Sequence, residues 1–87
     1  MNKPALPLLV IADDATGALD TGVQFSKQGF PTLVVPDNQL PLRNIEANLQ
    51  VLVVDTNTRN VSPGEAYQRV KEVVELALSR FEIQSFY

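Results

Sequence analysis

Two apolar runs without polar alternation, Leu8–Ala12 and residues 51–54 (the latter within a strand predicted over residues 49–54), constrain this chain more than any other feature of its sequence. A strand with one wet face alternates apolar and polar side chains. A run of branched apolar residues with no such alternation reads as a strand covered on both faces, as in a parallel sheet flanked by helices. Both runs end in acid, the first at Asp13-Asp14 and the other at Asp55. Between them Pro31-Thr32-Leu33-Val34-Val35 predicts a further strand, closed by Pro36-Asp37-Asn38.

The intervening segments carry helical spacing. Over residues 16–28, Ala15, Leu19 and Val23 recur at i, i+4 and i+8, with Ala18, Gly22 and Phe25 on a neighbouring stripe, and Gly29 supplies the left-handed residue that ends a helix. Ser62-Pro63-Gly64-Glu65 predicts a second helix start, with Ser at the N-cap, Pro at the first helical position and Glu completing a capping box. Its apolar face is Ala66, Val70, Val73, Val74, Ala77, Leu78 and Phe81, opposite Gln68, Arg69, Lys71, Glu72, Glu75 and Ser79. Residues 36–48 read as a loop with one helical turn near residues 45–48, residues 56–61 as a polar loop, and residues 83–87 as the opening of a fourth strand. The predicted fold class is α/β, a parallel sheet with flanking helices in the order βαβ–loop–βαβ and right-handed crossovers. Ending on a fresh strand suggests an incomplete N-terminal part of a larger doubly wound domain.

Composition narrows the chemistry. The 87 residues include no Cys and no His, which excludes zinc–thiolate centres, thiol nucleophiles and a Ser-His-Asp triad. Any metal would be a hard cation held by carboxylates. A net charge of −3 offers no concentrated basic face, so no nucleic-acid partner is expected. No apolar run is long enough to cross a bilayer, and the start is no signal peptide, so neither a membrane partner nor export is expected. Without Cys there is no disulfide framework, and the expected location is cytoplasmic.

In open parallel sheets, ligands bind beyond the carboxyl ends of the strands. Asp14 suits the N-cap of the first helix. Asp13, one residue too early for that role, calls for a cation, a substrate hydroxyl or a basic partner. Thr16-Gly17-Ala18-Leu19-Asp20-Thr21-Gly22 has glycines at the P-loop spacing, but Val23 stands where the phosphate-binding Lys must be. What remains is Gly17 in the first helical turn, whose amide could approach an anionic group, and Gly22, which suits close packing of helix on sheet. Arg59, in the polar run after Asp55, is either a solvated loop residue or a fork for a carboxylate, that of Asp13 or of a substrate.

The string from Val10 to Gly22 resembles the opening of the four-carbon acid sugar kinase family, the ATP-dependent kinases of D-threonate, D-erythronate and 3-oxo-tetronate. The family's A-D-D-x-T-G-A is matched at every fixed position, with Ala15 in the variable slot. Val54-Asp55-Thr56-Asn57-Thr58-Arg59 is similar to the family's D-T-x-S-R block, with Thr58 in place of Ser. Ser62-Pro63…Glu65-Ala66-Tyr67 resembles its S-P-x-E-A-Y helix start. The resemblance implies that residues 1–87 are the N-terminal portion of a sugar-acid-binding domain, with the ATP-binding C-terminal domain absent. It further implies a small-molecule sugar-acid substrate bound by Asp13, Asp14, Thr16, Gly17 and Arg59. Arg59 would pair with the carboxylate, and Asp13 would hold hydroxyls and assist deprotonation of the attacking one. ATP and Mg²⁺ would serve the full-length enzyme, with neither held tightly by this chain, which alone would be inactive. A receiver-like phosphoacceptor domain, with Asp13, Asp14 and Asp55 as its acidic pocket, is the alternative.

Overall fold

The computed structural model describes residues 3–39 and 49–87. Its elements run β1 (Ala5–Leu6), β2 (Leu8–Ala12), α1 (Ala15–Lys27), β3 (Thr32–Pro36), a 3₁₀ turn (Asp37–Gln39), β4 (Val51–Asp55), α2 (Pro63–Arg80) and β5 (Glu82–Ile83). The turn expected near residues 45–48 lies outside the described residues.

β4 is the centre of a parallel sheet in the order β2-β4-β3, with Ala12 and Pro36 both in register with Asp55. The missing alternation in β4 now has its cause. Val51 and Val53 pack with Val10 and Ala18 beneath α1, whereas Leu52 and Val54 pack with Leu9, Val73, Ala77 and Phe81 beneath α2. Leu9, Leu52, Val53 and Val54 are fully buried, each contributing roughly 1.5–3 kcal/mol of transfer free energy. The end of β4 therefore extends directly from fully buried residues.

The expected fourth strand is short and differently partnered. β5 pairs in parallel with β1, a two-residue strand between Pro4 and Pro7 too brief to leave a sequence pattern. The pairing resumes past Pro7, where Phe86 bridges Leu9 and the Ile11 amide donates to the Tyr87 carbonyl. Pro7, which has no N–H, falls at the interruption.

α1 is rotated from the face the spacing suggested. Ala18 and Gly22 are its buried residues, while Leu19 and Val23 are 58% and 49% exposed. The cause is Gly22: a Cβ built there would overlap Val34 Cγ2 of β3, so the helix lies on the sheet along its small-residue stripe. Its far end is a full Schellman closure. Gly29, at φ +89°, donates to the Ser26 carbonyl, Phe30 donates to the Phe25 carbonyl, and the two rings meet edge to face at 6.3 Å.

α2 starts as predicted, with the Ser62 hydroxyl accepting from the Glu65 amide and Pro63 at the first turn. The other half of the capping box is replaced, because the Glu65 carboxylate lies 3.4 Å from Arg69 Nη2. Val73, Ala77 and Phe81 are buried as expected, but Leu78 is largely exposed.

Candidate functional site

The two crossovers leave β2 and β4 in opposite directions. From β2 the chain passes over one face through α1 to β3, and from β4 it passes over the other face through α2 to β5, beyond β2. The carboxyl ends of these neighbouring strands therefore form a topological switch point, where open α/β sheets bind ligands. Asp13 and Asp14 follow one strand, and Thr56 to Arg59 follow the other.

The two strand-end segments are tied to each other through the backbone. The Thr56 amide donates to the Ala12 carbonyl at 2.9 Å, and the amides of Thr58 and Arg59 both donate to the Asp13 carbonyl at 2.9 and 3.2 Å. Hydroxyls lock the same seam: Thr56 Oγ1 donates to the Ala12 carbonyl at 3.1 Å and lies 2.8 Å from Thr58 Oγ1. The single hydroxyl hydrogen of Thr56 is committed to Ala12, so Thr58 is the donor between the two. Thr56 is fully buried and Thr58 nearly so. Within what had read as a polar loop, both are therefore core residues. A signal existed, since Thr56 continues the every-second-residue face of Leu52 and Val54, but a hydroxyl at that position does not advertise burial. Thr56→Val leaves the Thr58 hydroxyl without its acceptor and should cost about 1–3 kcal/mol; an unchanged urea midpoint would refute this assignment.

Asp14 has two tasks. Its Oδ1 caps α1 by accepting from the Gly17 amide at 2.7 Å, and its Oδ2 takes Arg59 Nη1 at 2.6 Å. The Gly17 hydrogen bond, and then the Arg59 guanidinium, hold the Asp14 carboxyl below the usual carboxylate range. Arg59 is shifted upward by its hydrogen bond to Asp14, by the charge of Asp14 and by that of Asp13. Arg59 thus pairs within the chain with Asp14 rather than Asp13, and the Gly17 amide offered in sequence to an anion already holds a carboxylate. Because the folded pKa of Asp14 lies below its ordinary 3.8, the stability it supplies is complete above that value and is lost as pH falls through the folded pKa. Asp14→Asn, which can still cap, should flatten this acid limb. Thermal denaturation of both proteins from pH 6 down to pH 2 measures it, and parallel curves would exclude the linkage.

The Asp13 and Arg59 side chains are exposed, and Thr16 lies in the first turn of α1, also exposed. Asp55 accepts the Asn57 amide at 2.8 Å on Oδ1, and Asn57 takes φ +51°, a left-handed turn that Asn tolerates. Beside the Asp14 cap, an open groove runs between Ala15, Ala18 and Leu19 of α1 and Val34 to Pro36 of β3, with Asp55 as its one charged wall. Arg69 of α2 reaches the carbonyls of Thr56 and Asn57 from the other side, at 3.4 Å each. Sequence spacing had left it on the solvent face.

The acidic pocket of a receiver is not assembled. Among the described residues no three acidic side chains converge on a site that could hold a metal ion, because Asp14 is turned to Gly17 and Arg59. No helix among them is long and apolar enough to cross a membrane.

Comparison with known proteins gives the family. The sugar-binding N-terminal domain family matches residues 8–87. A D-erythronate kinase of Heliobacterium modesticaldum is 38% identical over 74 residues, covering 82% of this chain and 16% of the relative. A D-threonate kinase of Salmonella typhimurium is 38% identical over 66 residues, covering 75% of this chain and 15% of the relative. The chain thus spans about one sixth of the length of these curated relatives. No solved structure matches it significantly. Among the described residues, a P-loop for ATP and a carboxylate cluster for its metal ion are not assembled. Val23 stands where a P-loop Lys would be, and the Gly17 amide in the first turn of α1 already holds the Asp14 carboxylate.

Proposed function

This chain belongs to the sugar-binding N-terminal domain family, and from that membership we propose that it binds a four-carbon sugar acid at the carboxyl ends of β2 and β4. The candidate ligands are D-erythronate and D-threonate, after the names of its relatives. The observation that carries this reading is the Arg59–Asp14 pair at the switch point. Asp14 engages Nη1, and the Arg59 side chain is 69% exposed, so the rest of its fork remains available to a ligand carboxylate. Asp14 fixes the direction of that fork while its other oxygen caps α1.

Asp13 is the group for the ligand's hydroxyls. Its carbonyl is held by two amides and the residue is exposed; in this reading its carboxylate accepts hydrogen bonds from vicinal hydroxyls and takes the proton of the one that attacks. Thr16 and Gly17 frame the first turn of α1, with Gly17 acting through its bond to Asp14 rather than directly on an anion. The groove beside Ala15 and Leu19 receives the carbon chain.

Catalysis in a full kinase would need this orienting work more than covalent chemistry, since phosphoryl transfer rests on positioning and electrostatics. ATP would supply the phosphoryl group from a separate site, and no step through it is assigned to these residues. Calorimetric titration of the chain with D-erythronate, D-threonate and the uncharged alcohol erythritol tests the reading. Binding of a sugar acid but not of erythritol is expected; equal binding of all three, or of none, would overturn it.

A further inference from the structure

The geometry points to Arg69 as a positioning residue that holds the loop after β4 in the shape that presents Arg59, an inference resting on the sugar-acid reading of the site. The left-handed turn at Asn57 is the starting point. The Thr56 and Asn57 carbonyls face Arg69, and the amides of Thr58 and Arg59 both face the Asp13 carbonyl. One side of the loop thus carries two acceptors and the other two donors.

Neither side is self-sufficient. The donors are satisfied by Asp13 and tie the loop to β2. The acceptors are met by one guanidinium, whose Nη1 lies 3.4 Å from each carbonyl while its Nη2 lies 3.4 Å from Glu65 Oε2. Arg69 stands on the second turn of α2, whose next turns bury Val73 and Ala77 against the sheet. It therefore carries the rigidity of the helix into the loop. A planar fork spans two carbonyls and a carboxylate at once, which a single ammonium group does not reproduce. Because Arg59 is only three residues past Thr56 and its amide is one of the two donors, release of the carbonyl side frees the segment that aims it.

The test uses the full chain with Arg69→Met, which keeps the apolar stem, Arg69→Lys, and Glu65→Gln, which leaves the loop contacts intact. Amide hydrogen exchange is read residue by residue, and D-erythronate affinity is measured alongside. In Arg69→Met the Thr58 and Arg59 amides should exchange about 10-fold faster, the effect of losing one charge-assisted hydrogen bond, while Val53 and Val54 stay as in the wild type. The D-erythronate dissociation constant should rise by about the same factor, with Arg69→Lys intermediate and Glu65→Gln unchanged. Unchanged exchange at Thr58 and Arg59, acceleration shared equally by the β4 amides, or an unchanged dissociation constant would each overturn the inference. Absence of D-erythronate binding by the wild type would instead sink the functional reading, and the exchange measurement would still decide whether Arg69 holds the loop.

Discussion

Arg59→Ala is expected to weaken D-erythronate binding by roughly 30-fold or more, the lower range for removing one partner of a hydrogen-bonded charge pair. The residue is exposed and its pair with Asp14 is open to water, so its loss should cost the fold little. The effect should fall on the ligand, whose carboxylate would otherwise meet the free part of the fork. Arg59→Lys keeps the charge but loses the two-pronged geometry, and should recover only part of the affinity. Erythritol, which has no carboxylate, should show no binding to any of the three and serves as the blank. Titrations of the three proteins with acid and alcohol separate the cases. An Arg59→Ala protein that binds the acid as tightly as the wild type would remove Arg59 from the site.

Gly22→Val should destabilise the chain strongly, and Gly22→Ala should already destabilise it. Helix propensity argues the other way, since Ala in place of Gly inside a helix gains about 1 kcal/mol. Packing decides the sign. The added Cβ would overlap Val34 Cγ2, on a branched side chain of β3 whose χ1 is restricted. Overpacking of this kind costs about 1–3 kcal/mol for one methyl and more for a branched group. Against a total stability of order 5–15 kcal/mol, a loss beyond ~3 kcal/mol leaves a small domain marginal. Far-UV circular dichroism and urea midpoints report the outcome. A midpoint for Gly22→Ala equal to or above the wild type would show that α1 can lift from β3.

The strands were legible in the sequence because burial on both faces leaves a run with no polar gap, and the structure places Leu8–Ala12 and Val51–Asp55 side by side in parallel register. The start of α2 was legible because capping is local chemistry among four residues. The rotation of α1 was not. Gly22 already suited close packing on the sheet, but Leu19 and Val23 also have the spacing of a buried stripe, and only contact with Val34 decides that the stripe of Ala18 and Gly22 is the one that fits.

The same division runs through the site. Chain-local pattern determined which groups are available, namely carboxylates, hydroxyls and one arginine at strand ends, because a chain without His or Cys has no others to offer. It also determined that Asp14 caps α1, since a cap is set by residues three apart. Partners distant in sequence were decided by tertiary structure alone. Arg59 meets Asp14 across 45 residues, Thr56 seals the end of β2 across 44, and Arg69 reaches back 13 to Thr56. Those pairings depend on the order β2-β4-β3, which brings the ends of β2 and β4 together, and strand order is a property of packing that no local spacing encodes.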